Sequence, residues 1–146
     1  MELIALLRTA GLFDGLTDEQ LARLAQISEP TRYDKGAVIF SQGDEGDCLY
    51  LISQGEVEVK VGKSPATART EVYLGRGQIF GEMALIDRGP RSATAVCSRD
   101  RTELYGITRE AFNALCKADT AIGYAVMRNL AHDLSFKLRH RNLASE

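Results

Sequence analysis

The chain has 146 residues, 45% of them hydrophobic, enough to bury a core without disulfides or a structural metal. Its formal net charge of −2 excludes the strong basic excess of a general nucleic-acid binder. Three scattered cysteines (Cys48, Cys97 and Cys116) make neither a disulfide framework nor a CxxC metal pair, and no stretch approaches the ~20 apolar residues that span a bilayer.

In chain order three zones predict one α+β domain over 1–146. It is an antiparallel β-barrel or jelly roll flanked by N-terminal helices and two C-terminal helices, one of them long. Residues 1–30 are the first helical zone. Glu2–Ala10 carries Leu3, Leu6 and Leu7 at helical spacing, Gly11 stops it, and its start is too weakly basic for a secretory signal. Thr17 and Gln20 resemble a capping box opening a second helix, with Leu21, Leu24, Ala25 and Ile27 on its apolar side and its end before Pro30. Residues 31–107 change period into short β-rich runs separated by glycine turns: AVIF, LYLIS, VEVKV, TEVYL, QIF, TAVC and TELYGI. In VEVKV, Val57, Val59 and Val61 alternate with Glu58 and Lys60, the mark of a half-buried antiparallel strand. The polar stretch Gly62–Arg69 reads as a mobile hairpin loop. Residues 108–146 are helical again. Thr108 caps a helix to Lys117, and Asp119 or Thr120 caps a long one reaching Asn142. In the long helix Ile122, Val126, Leu130, Leu134 and Leu138 recur every four residues and so drift around the axis.

Residues 80–96, FGEMALIDRGPRSATAV, do not suit a plain hairpin. GEMALI is a run of helix formers introduced by Gly81, and the start of such a turn presents free N–H groups that favour a phosphate. Pro90 ends the helical tendency, and Arg91 offers a planar fork of donors suited to paired phosphate oxygens. Glu82 lies nine residues before Arg91 and can accept from a sugar hydroxyl. The same two residues would equally suit a structural ion pair.

The wording of this segment closely resembles the phosphate-binding cassette of the cyclic-nucleotide-binding domain family, found in catabolite regulators, regulatory subunits of cAMP-dependent kinase and gated channels. Phe80, Gly81, Glu82, Met83, Ala84 and Leu85, followed by Pro90, Arg91, Ser92, Ala93 and Thr94, meet its pattern, and Gly43, Gly46, Gly55, Gly75 and Gly77 match its turn glycines. The resemblance implies a regulatory sensor that signals by moving its C-terminal helices. Glu82 would take the ribose 2′-hydroxyl and Arg91 a phosphate oxygen. The N–H groups of Ala84 and Ser92 would complete the cradle, with Gly81 and Met83 beside them and Leu85 and Ala93 packing beneath. Leu134 or Leu138 would cover the base or pack on the barrel, and Leu138 is the residue expected at the ligand. Ser92 is ambiguous between bases; the expected ligand is cAMP, with cGMP as the alternative.

Other candidates give way to plainer readings. His132 and His140 lie eight residues apart on the last helix, about 12 Å along its axis and too far to share a metal. The run Lys137, Arg139, His140 and Arg141 reads as a solvated helix end. No helix-turn-helix follows before Glu146, so direct DNA binding is not expected. No nucleophile pairs with a base, so neither an enzyme nor a cofactor or metal is expected. The partners implied are a cyclic nucleotide, a second copy through the last helix, and an effector protein of unstated identity, all in the cytoplasm. The competing reading is a structural or interaction module of the same fold.

Overall fold

A computed structural model describes residues 2–62, 64 and 66–144, with the side chains of 141–144 excepted. The N-terminal zone forms α1 (Glu2–Thr9), a 3-10 turn (Gly11–Phe13) and α2 (Asp18–Gln26). The capping box at α2 is present in both halves: Gln20 N–H donates to the Thr17 hydroxyl and Thr17 N–H to the Gln20 side chain. Eight strands follow: β1 (Glu29–Tyr33), β2 (Val38–Phe40), β3 (Cys48–Gln54), β4 (Val57–Val61), β5 (Arg69–Leu74), β6 (Ile79–Phe80), β7 (Thr94–Cys97) and β8 (Thr102–Thr108). They pair antiparallel in two four-stranded sheets, ordered β1-β8-β3-β6 and β2-β7-β4-β5, the jelly-roll form of the expected architecture. The polar stretch expected between two strands joins β4 to β5; its Lys63 and Pro65 lie outside the described residues.

β1 is the strand the sequence pattern did not mark. Its residues, EPTRY, are nearly all exposed and show no apolar alternation, because it is an edge strand beside β8 that begins two residues before the expected boundary. Pro30, where only a helix stop was expected, pairs with Tyr105; proline is tolerated at a sheet edge because it need not donate to a further strand.

β3 explains why the core has two compartments. Leu49 and Leu51 point to one face and pack with Leu7, Leu21, Leu24, Phe112, Ile122 and Val126 of the helices. Ile52 points the other way, into the sandwich, with Val57, Phe80, Ala95 and Leu104. With both faces covered, LYLIS is a near-continuous apolar run rather than an alternating one.

The C-terminal zone is α3 (Arg109–Ala118) and α4 (Thr120–Ala144). Thr108 caps α3 by accepting from Ala111 N–H, and the Asp119 carboxylate accepts from Ala121 N–H at the head of α4. Ile122, Val126 and Leu130 are buried, Leu134 is half-buried and Leu138 is 60% exposed. Each four-residue step turns the side chain by about 40°, so four steps carry Leu138 about 160° from Ile122 and off the packed face. No helix among the described residues is long and apolar enough to cross a membrane.

Candidate ligand-binding site

The segment after β6 is held by two glycines and an arginine. Gly81 sits at φ +77°, the left-handed region that favours glycine, and starts a 3-10 turn over Glu82–Leu85. A Cβ here would lie 2.7 Å from Arg91 Nη1 and 3.2 Å from the Cys48 carbonyl, so conformation and space both require glycine. Across the cleft, Gly43 N–H donates to the Arg91 carbonyl at 2.9 Å and Arg91 N–H to the Asp44 carbonyl at 2.6 Å. Those bonds fix the backbone of Arg91 against the loop before β3.

The Arg91 side chain is 8% exposed. Nη2 donates to the Cys48 carbonyl at 2.7 Å and Nη1 to the Gly81 carbonyl at 3.2 Å, while the guanidinium carbon lies 4.0 Å from the Phe40 ring centroid. Nε is buried without a partner. Among the described residues no carboxylate pairs with Arg91, and the ion pair that Glu82 and Arg91 might have made does not form. A buried cation held by carbonyls, a cation–π contact and no counter-charge is costly unless an anion joins it.

Arg91 lines a cavity of about 530 Å³, a size usual for small-ligand sites. Gly81, Glu82, Met83, Ala84 and Ser92 share that cavity. Its apolar wall comes from Val59, Val72, Leu74 and Ile79. The cassette residues are therefore brought together, with two differences in detail. The Ala84 N–H donates to the Gly81 carbonyl at 3.1 Å and is spent within the turn, and the Glu82 N–H is turned to its own carboxylate, leaving Met83 as the leading N–H without a partner along the turn. Ser92 N–H makes no hydrogen bond among the described residues, as a phosphate donor requires. Leu138 does not line the cavity; the drift of α4 presents Lys137 there instead. Leu85 is buried in the helical core as expected, whereas Ala93 lines the cavity.

Glu82 is half-buried, and burial raises its pKa above the usual carboxylate range, while the Lys137 charge lowers it and Asp133 raises it further. Burial pushes the Cys48 thiol up to about 11, so this cysteine is a neutral, apolar neighbour of the arginine rather than a nucleophile.

Sequence reasoning missed four contributors besides Lys137. Phe40, Val59 and Val72 came from strands whose inward faces could not be aimed before the two sheets were known. Arg109, the first residue of α3, places Nη1 within 2.7 Å of the Gly46 carbonyl and 3.0 Å of the Ala84 and Asp87 carbonyls. It therefore ties the C-terminal side of the cassette turn and the facing loop to α3. An arginine at a helix start opposes the macrodipole, and that misfit was the available signal.

A family model described as the cyclic nucleotide-binding domain matches residues 30–119. The chain is 38% identical to the cyclic AMP receptor protein of Thermus thermophilus over 132 residues, 90% of this chain and 59% of the receptor. The crystal structure of the Thermus thermophilus catabolite activator protein superposes with a TM-score of 0.80 at 38% identity, covering 92% of this chain and 61% of that one. Isozyme 1 of the cGMP-dependent protein kinase of Drosophila melanogaster is 37% identical over 75% of this chain and 14% of the kinase. The chain thus spans less than two thirds of the length of these relatives.

Proposed function

The chain belongs to the cyclic nucleotide-binding domain family, and from that premise we propose that it is a regulatory receptor for cAMP, with cGMP as the competing ligand. Arg91 carries the reading. Its buried guanidinium has an unpartnered Nε and no carboxylate, in a cavity that also holds a carboxylate suited to a sugar hydroxyl. The phosphate of the ligand would neutralise Arg91 and accept from the N–H groups of Met83 and Ser92. The ribose 2′-hydroxyl would donate to Glu82, and the base would lie on Val59, Val72 and Leu74. The choice of cAMP is supported by the Thermus receptor, which aligns over 90% of the chain.

Signalling runs through α4 in this reading. Leu138 covers the base only if α4 turns or shifts, and a ligand drives that motion only by binding the closed arrangement more tightly. We assign this domain a binding rather than a catalytic role, a reading supported by the cyclic nucleotide-binding domain model that matches residues 30–119. The free thiols of Cys48, Cys97 and Cys116 support a reducing, cytoplasmic setting.

Calorimetric titration with cAMP and cGMP tests the reading. The expected result is one site with Kd below about 100 μM, a binding free energy beyond about −5.5 kcal/mol, and tighter binding of cAMP. Binding of neither nucleotide would leave a structural module of the same fold.

A further inference from the structure

Glu82 stands on the divide between two cavities. On its far side lies a second one of about 570 Å³, walled by Leu12 and Asp14 of the N-terminal turn, by Gln78, and by Asn129, Asp133 and Phe136 of α4. Helix α4 crosses this divide. Asp133 faces the second cavity and Lys137 the first, one helical turn apart, with Lys137 Nζ 3.0 Å from Asp133 Oδ2. Of the two cations among the described residues lining the first cavity, Arg91 is committed to the Cys48 and Gly81 carbonyls. Lys137 is the one that remains to balance a half-buried carboxylate.

We propose that Lys137, braced by Asp133, is a positioning residue of the ligand site: it holds Glu82 ionised as the acceptor for a ligand hydroxyl, and so makes that acceptor depend on where α4 lies. The inference rests on the reading of Glu82 as a ligand contact. The electrostatics agree in sign. Burial lowers the Lys137 pKa, but the hydrogen bond it donates to Asp133 and the charges of Glu82 and Asp133 outweigh it, so the ammonium stays charged. Its attraction acts on Glu82 against burial, and Asp133 acts the other way. The remaining charged or titratable groups lining the two cavities are Arg91 and Asp87 of the cassette, Asp14 of the N-terminal turn and His132 of α4. Lys137 makes no ion pair with Glu82 and acts on it across the shared cavity, so a sugar hydroxyl donating to Glu82 would change the field that Lys137 feels, and occupancy would thereby reach α4.

The test is the titration of the Glu82 carboxyl carbon by NMR in the full chain without nucleotide, followed by cAMP affinity as a function of pH. Lys137→Met removes an attraction and raises the Glu82 midpoint. Asp133→Asn removes a repulsion and frees the ammonium, and lowers it. Lys137→Arg restores the wild-type position, and a His132→Gln background removes the neighbouring imidazole without abolishing the opposed shifts. The acid limb of cAMP binding moves with the carboxyl in each variant, and Lys137→Met binds about two- to fivefold more weakly at neutral pH. A purely structural role would change stability without shifting Glu82 in opposite directions. Midpoints that stay together or move the same way overturn the proposal. Opposed midpoints with an unmoved binding profile also overturn it, while leaving the receptor reading intact. A wild-type protein that binds neither nucleotide removes the receptor reading itself, and the carboxyl titration reports on the triad separately.

Discussion

Arg91 and Glu82 are both held in an environment that does not favour their charge, and each makes a prediction. Burial raises the pKa of Glu82, so the folded chain binds that proton more tightly than the unfolded chain does. Stability therefore falls as pH rises from the unfolded value through the folded one, and above the folded value the ionised carboxylate is a burden on the fold. Glu82→Gln should raise the denaturant midpoint at pH 7, and the gain should shrink as pH falls through the Glu82 titration. The same variant should lose affinity for cAMP but little for 2′-deoxy-cAMP, because only the former offers the hydroxyl. A midpoint at pH 7 equal to or below wild type would contradict the assignment. Gly81→Ala should weaken binding and lower stability together, since the new Cβ would strain a positive-φ backbone and crowd both the Arg91 guanidinium and the Cys48 carbonyl. Titration of that variant with cAMP checks it, and unchanged affinity would show that the guanidinium can move aside freely.

At the scale of elements, the site depends on how α3 and α4 are seated. Arg109 joins α3 to the carbonyls of Gly46, Ala84 and Asp87, and each is a charge-assisted contact. Arg109→Met should lower the melting temperature and weaken cAMP binding about tenfold or more, from hydrogen bonds to a charged group worth about 1.5–3 kcal/mol. Thermal melts and calorimetry on one preparation separate the two effects; a loss of stability with full affinity would make Arg109 a fold residue only. By contrast Thr17→Ala, which removes the capping box of α2, should cost about 1 kcal/mol of stability without altering affinity. Most of these elements were legible because their signals are local. The capping box, the period-two run of β4 and the glycine before the 3-10 turn each specify their own geometry. β1 was not, since an exposed edge strand carries no apolar pattern, and the position of Leu138 outside the cavity was not, because four-residue spacing rotates steadily away from a fixed face.

In the whole molecule the two sheets leave a cavity between their strands, the cassette closes one side of it, and α4 passes over its mouth. The charged residues of the site were readable from wording alone, because Glu82 and Arg91 lie within one short segment. The apolar wall was not: Val59 and Val72 sit on strands that alternate in the ordinary way, and only the pairing of β4 with β5 and β7 decides which side faces inward. Lys137 was likewise assigned to a solvated run, because its company on α4 is basic and polar while its neighbour across space, Glu82, is 55 residues earlier. The central claim is that Arg91 is a buried cation placed for a cyclic phosphate. Its most direct test is a paired calorimetric titration of cAMP into the wild-type chain and Arg91→Ala, with circular dichroism to confirm that both are folded. The wild type should bind at a single site, and the variant should lose about 2–5 kcal/mol of binding free energy. Equal affinity in two folded proteins would contradict it.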